Sequence, residues 1–252
     1  MPLVVTEAIV LHAFDYLESS RILRLATREV GVQSVVARGA RRSKSRFGTA
    51  LDLFVQGTAH FSVHRGRELH TLTSFDISRT RPALATGFGR FTGAEAIAEL
   101  ALRFGGDEPH PEVYDAMEAA LDELAAASDV EAGERALAGA WRVVSALGFA
   151  PALHGCATCD AEVPREESAA FSAAAGGVLC AGCATLARGT RLIPSEARRA
   201  LELWLAEQRA QLDDDATVRA HQRLLREFVQ EHLSEGKPLR AFDVWERERW
   251  SA

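Results

Sequence analysis

No apolar stretch in the sequence approaches 18 uninterrupted residues, which argues against a membrane-spanning helix. The opening residues, MPLVVTEAIVLHAFDYLESS, lack a basic leader and are soon broken by Glu7, His12 and Asp15, so they do not read as a secretory signal. A P-loop, a Rossmann glycine pattern and a G-x-S-x-G elbow are all missing; Gly87-Phe88-Gly89 has neither a preceding strand nor a third glycine. No paired carboxylates and no Ser/His/Asp set stand out, so catalysis finds little support. Cysteine is scarce, with four residues in two close pairs, Cys156/Cys159 and Cys180/Cys183. Without a secretory signal, a reducing cytosol keeps such thiols free. Metal is therefore a stronger reading than disulfides, and the expected location is cytoplasmic.

What is present is ordinary for a globular protein: 252 residues, 47% hydrophobic and 25% charged, enough for two or three small domains or one larger one. The net charge of −6 conceals an asymmetry. Residues 1–90 hold thirteen Lys/Arg against seven Asp/Glu, and the remainder holds sixteen against twenty-eight. A basic front joined to an acidic back confines any polyanion binding to the first third.

From Leu3 to about Asp76 the apolar residues come in short, β-branched runs: Ala8–Leu11, Ile22–Leu25, Gln33–Ala37 and Thr58–Val63. Gly31, Gly39, Gly48, Gly57 and Gly66 punctuate them every eight or nine residues, a rhythm suited to an antiparallel sheet or small barrel of about five strands. Arg65-Gly66-Arg67 suits a hairpin turn. After Arg81-Pro82 the pattern turns helical. Ala94, Ile97, Ala98 and Ala101 line one face, Val113, Met117, Leu121 and Leu124 a second, and Leu137, Trp141 and Val144 a third, closed by Gly148. Pro194-Ser195 opens a further helix with Leu201, Trp204 and Leu205 inside, and Asp213–Asp215 caps another, with Val218, Leu225, Phe228 and Leu233 inside.

The cysteines read C-x2-C, twenty residues, C-x2-C. Each two-residue gap lets a tight turn aim both sulfurs at one ion, and two such knuckles complete a closed tetrahedron, which suits a structural zinc. The metal would stand in for the core that residues 154–185 are too few to build. Four thiolates also suit an iron–sulfur cluster, but nothing here favours redox chemistry. His154 is expected to be solvated or outside the coordination shell. His110-Pro111-Glu112 followed by Cys156-x-x-Cys159 loosely echoes the zinc deaminases, an arrangement that would make Glu112 the acid–base group. Gly155 stands where that pattern has Pro, and the second cysteine pair would be idle.

Between Glu29 and Asp52 there is no acid, while Arg38, Arg41, Arg42, Lys44 and Arg46 crowd a glycine-bordered loop after a strand over Val32–Ala37. Such a loop can track phosphates without reading sequence. Phe47, Phe54 and Phe61 lie nearby; Phe54 and Phe61 fall in strand patterns and are expected in the core, leaving Phe47 as the candidate to stack on bases.

Three stretches resemble the RecO family of bacterial recombination mediators. These are Glu7–Leu11 continuing through Tyr16–Arg21, Val36-Ala37-Arg38-Gly39-Ala40-Arg41-Arg42-Ser43-Lys44-Ser45-Arg46-Phe47-Gly48 with Leu51 and Phe54, and Leu147-Gly148-Phe149-Ala150-Pro151 leading into Cys156-x-x-Cys159. The resemblance implies an α+β multi-domain chain: an N-terminal OB-fold β-barrel over residues 1–80, then an α-helical domain over 81–252 with an inserted four-Cys zinc knuckle at 154–185. It implies no enzyme activity and one structural zinc on Cys156, Cys159, Cys180 and Cys183. It places DNA contacts on Arg38, Arg41, Arg42, Lys44 and Arg46. Family members bind single-stranded and duplex DNA and anneal DNA strands in the RecF pathway, engage the single-strand-binding protein and, with RecR, help load RecA onto gapped DNA at the nucleoid. A zinc-dependent nucleic-acid enzyme and a zinc-ribbon adaptor acting only through protein contacts are the competing readings.

Overall fold

A computed structural model describes residues 2–45, 47, 51–64, 66–212, 214–233 and 237–247. Arg46, Gly48, Arg65 and Asp213, named above, lie outside the described residues. The four short β-branched runs fall on β1 (Leu3–Tyr16), β2 (Ser20–Thr27), β3 (Gly31–Ala37) and β4 (Gln56–Ser62), and β5 (Leu69–Arg79), outside those runs, is the fifth strand. They close into a barrel in the order β1-β2-β3-β5-β4, with β3 and β5 parallel and the other neighbours antiparallel. Closure depends on β1 serving two partners. Its first half pairs with β4 (Leu3↔Ser62) and its second with β2 (Tyr16↔Ser20), with a register shift between Val10 and His12 at the changeover. A bulge there bends the strand and lets one edge meet both neighbours. Val10, Leu23, Leu25, Val35, Phe47, Phe61 and Leu72 fill the interior.

The helical region follows a short 3-10 turn at Pro82–Ala85. It begins with α1 (Phe88–Phe104), α2 (Pro111–Ala126) and α3 (Ala132–Ala146). Every residue of the three expected helix faces is buried, from Ala94 on α1 to Val144 on α3. β6 (Ala169–Ser172), β7 (Gly177–Leu179), α4 (Ala181–Leu186) and β8 (Arg191–Ile193) come next, then α5 (Ser195–Leu205), α6 (Asp215–His232) and α7 (Arg240–Arg247). Asp214 caps α6, its carboxylate accepting from the Thr217 N–H at 2.7 Å.

Barrel and helices share a polar seam. The Arg81 side chain is 2% exposed and donates to Asp122 Oδ1 at 2.6 Å, Phe54 O at 3.0 Å and Gln56 Oε1 at 2.8 Å. Gln56 in turn donates to Glu118 Oε1 at 2.8 Å, and the Val32 N–H donates to Gly106 O at 2.8 Å. Gly31 sits at φ +68°, and a Cβ there would stand 2.4 Å from Glu108 O, so only glycine permits this approach. Ile9, Leu11, Ala26 and Phe54 point away from the barrel interior into the helical core. Phe54 is buried as expected but lies outside any strand, at φ +63°, with its ring 6.3 Å from that of Phe91 on α1.

Candidate nucleic-acid interface and metal centre

The end of β3 leads into a compact series of turns. Gly39 adopts φ +73°, Arg42 N–H donates to Gly39 O at 3.1 Å, and Ser45 N–H donates to Arg42 O at 2.9 Å. Arg38, Arg41, Arg42 and Lys44 are all exposed. They are not equivalent. Arg41 is tied to the β1–β2 hairpin: its backbone N–H donates to Ser19 O at 3.0 Å, and its guanidinium lies 3.3 Å from Asp15 and 3.4 Å from Glu18 O. Arg38 and Arg42 instead line a cleft of about 570 Å³ at the barrel rim. Its other walls are the hairpin tip (Tyr16, Leu17, Ser19, Ser20), the β4–β5 connection (His64, Arg67) and the start of β5 (Leu69, Thr71), and no carboxylate among the described residues lines it. Arg67 and His64 joined this site without any sequence signal, because they are close to Arg38 only through the parallel pairing of β3 with β5. Phe47, the candidate for base stacking, is instead buried inside the barrel, 5% exposed.

The four cysteines do converge. Their sulfurs all lie within 4.8 Å of one another, and no histidine or carboxylate among the described residues belongs to the group. Local hydrogen bonds shape each knuckle. Cys156 N–H donates to Ala161 O and Asp160 N–H to Cys156 O, both at 2.8 Å, with Asp160 at φ +59°. Cys180 caps α4 and its carbonyl accepts from Ala184 N–H, bringing Cys183 around on the first turn. Four sulfurs held about 2.3 Å from one ion would be about 3.8 Å apart, and Cys159 Sγ lies 3.7 Å from Cys180 Sγ. The Cys156 thiol is drawn down to about 6, chiefly by a hydrogen bond with the Cys180 backbone and despite its burial. Cys183 is pushed up to about 12 by its hydrogen bonds to Cys159, Cys180 and Cys156. Four crowded thiols resist sharing negative charge, and a divalent cation removes that conflict. The residues therefore fit a metal ion.

His154 is exposed, its Nδ1 lying 2.8 Å from Arg165 and 3.3 Å from Glu202, outside the thiol group. His110 and Glu112 pair with each other at 3.6 Å at the start of α2 and are likewise not part of it. Behind the knuckle, Arg198 on α5 is buried and donates to the carbonyls of Leu153 (2.6 Å), Pro164 (2.8 Å) and Val163 (3.0 Å), clamping both stems of the first cysteine loop.

A closed five-stranded barrel in this order, with a cleft between rim loops, defines an OB-type barrel protein, the class whose rim loops hold oligonucleotides or oligosaccharides. The family model for the recombination protein O N terminus matches residues 1–81, and that for its C terminus matches residues 86–241. The DNA repair protein RecO of Anaeromyxobacter sp. (strain K) is 42% identical over 178 residues, covering 70% of this chain and 68% of that protein. The RecO of Gloeobacter violaceus is 32% identical over 233 residues, covering 91% and 87%, and that of Rubrobacter xylanophilus is 35% identical over 185 residues, covering 73% and 72%. The chain belongs to the RecO family of DNA repair and recombination proteins. No helix among the described residues is long and apolar enough to cross a membrane.

Proposed function

We propose that this chain is a non-enzymatic, cytoplasmic, strand-annealing recombination mediator. It holds single-stranded and duplex DNA on the barrel and acts with RecR and the single-strand-binding protein to help load RecA onto gapped DNA. The observation that carries this reading is the rim cleft: Arg38, Arg42 and Arg67 line it without an opposing acid, and Arg41 and Lys44 stand exposed beside it. Cations in a rim cleft neutralise phosphates whatever the base sequence, as annealing of arbitrary strands requires. The acidic helical part is unsuited to a main DNA face, which leaves it to partner proteins. Cys156, Cys159, Cys180 and Cys183 hold one structural zinc, whose filled coordination leaves no place for an activated water. A deaminase-like site would need His110 at the metal and Glu112 beside it, and their pairing on α2 gives that reading no support.

Changing Arg38, Arg41, Arg42 and Lys44 together to Ala should abolish annealing of complementary oligonucleotides. Fold and metal content should be retained. Wild-type single-strand binding should weaken with salt at a log–log slope of roughly 3–4. Undiminished annealing by the variant would sink the assignment of the loop. No DNA binding by the wild type at low salt would favour an adaptor acting through proteins alone.

A further inference from the structure

The rim cleft holds more than cations. At the β1–β2 tip, Leu17 is 75% exposed and Tyr16 is 39% exposed, and both line the cleft with Arg38, Arg42 and Arg67. Leu17 also sits at φ +52°, in the left-handed region that bulky side chains avoid. The tip is a three-residue turn between the paired Tyr16 and Ser20. Folding alone would be better served there by Gly or Asn, and solvent by a polar side chain. A strained, exposed leucine beside an exposed tyrosine therefore answers to something other than the barrel's stability. The phenylalanines nearest the basic loop cannot supply a stacking surface, since Phe47, Phe54 and Phe61 are 5%, 2% and 0% exposed.

We propose that Tyr16 and Leu17 are the base-contacting residues of the rim cleft, so that its ligand is a single strand with unstacked bases, gripped by its phosphates on Arg38, Arg42 and Arg67. The proposal rests on the reading of the cleft as a DNA site and gives it a strand preference. A ligand matching these walls carries negative charge and flat apolar faces together, and a duplex presents its base faces to no side chain unless it is opened. The contacts of Arg41 with Ser19 O, Glu18 O and Asp15 fix the tip against the basic loop, so apolar and cationic walls form one unit. Phe14, also exposed on β1, does not line the cleft and takes no part.

The test compares the binding of an ordinary single strand with that of an abasic strand of equal length, by fluorescence anisotropy at fixed salt. The wild type should favour the ordinary strand by about tenfold, the scale of one or two stacked bases. Tyr16→Ala with Leu17→Ala should reduce the preference to within about twofold, leaving abasic-strand affinity and the salt slope unchanged. Tyr16→Phe, which keeps the ring, and Phe14→Ala should both retain the preference. Leu17→Gly relieves the left-handed turn, so a reduced preference in that variant, with an undiminished unfolding midpoint, separates base contact from folding. Equal wild-type affinity for the two strands, or a full tenfold preference in the double variant, would overturn the proposal while leaving the phosphate reading intact. Failure of the wild type to bind either strand would overturn the underlying reading instead.

Discussion

The barrel and the cysteine module both contain a small sheet, but the barrel closes on itself while the module leans on its neighbours. Each barrel strand has two partners, and Val10, Leu25, Val35, Phe61 and Leu72 pack a core of their own. The strands of the module run to three or four residues, and its apolar side chains (Leu153, Val163, Phe171, Val178, Leu179) pack into the core of the helices. The 29-residue stretch from Arg165 to Ile193 has too little apolar surface to offset its own ordering entropy. The thiol group and the three-carbonyl clamp of Arg198 supply the difference. A self-sufficient sheet can spare its rim for a ligand, whereas the cysteine module is occupied with staying folded.

The strongest way to break this contrast is to deny the four thiols the metal proposed for them. Structural zinc contributes on the order of 10 kcal/mol to the folding of isolated finger peptides. Chelation, or Cys159→Ser with Cys183→Ser, should therefore release the amides of Phe171, Val178 and Leu179 to rapid hydrogen exchange. The amides of Leu23, Val35 and Phe61 should stay protected; barrel amides exchanging in step with the module would show that the two regions are not separately stabilised.

A smaller effect comes from acid. His221 on α6 is 2% exposed, neither ring nitrogen finds a hydrogen-bond partner among the described residues, and burial lowers its pKa from 6.5 to about 4. The unfolded chain therefore takes up the proton first as pH falls. The stability contributed by neutral His221 is complete above about pH 6.5 and declines towards pH 4, by up to about 3 kcal/mol. His221→Leu should flatten the fall in unfolding free energy across that window, measured by urea titration. An unchanged slope would place the acid sensitivity elsewhere.

The smallest expected effect lies at the barrel rim. Asp15 pairs with both Arg41 and Arg21 at the rim. Asp15→Asn should raise single-strand affinity about twofold, as expected for loss of an exposed ion-pair partner near a phosphate path. A decrease would mean that the Arg41 anchor matters more than its charge.

Most of the scaffold was legible because its signals are periodic. Short β-branched runs punctuated by glycine marked β1 to β4, and helical spacing marked the buried faces of α1 to α3, since burial on one side leaves a repeating trace. The C-x2-C pairs were legible because metal geometry dictates local spacing. The strands β6 to β8 left no such trace: three or four residues amid alanine and glycine carry no period, and the sheet forms only when neighbours cover it. The cleft was half legible. Arg38 and Arg42 stood out as part of an acid-free run, but Arg67, His64, Tyr16 and Leu17 come from segments that only barrel closure brings together. Phe47 looked available because it shares the basic loop, yet the barrel interior claims its ring. Arg81 gave no warning either, since a buried arginine reads in sequence like any surface one.

That buried guanidinium has a mechanical consequence. By holding Asp122 on α2 together with Phe54 O and Gln56 at the barrel's edge, Arg81 removes the freedom a linker would have given. The barrel's edge and α2 are joined by direct hydrogen bonds, so the two parts are set to meet in one orientation, as a ruler is to its stop. A strand seated at the rim would be presented to anything docked on the helices in that one orientation.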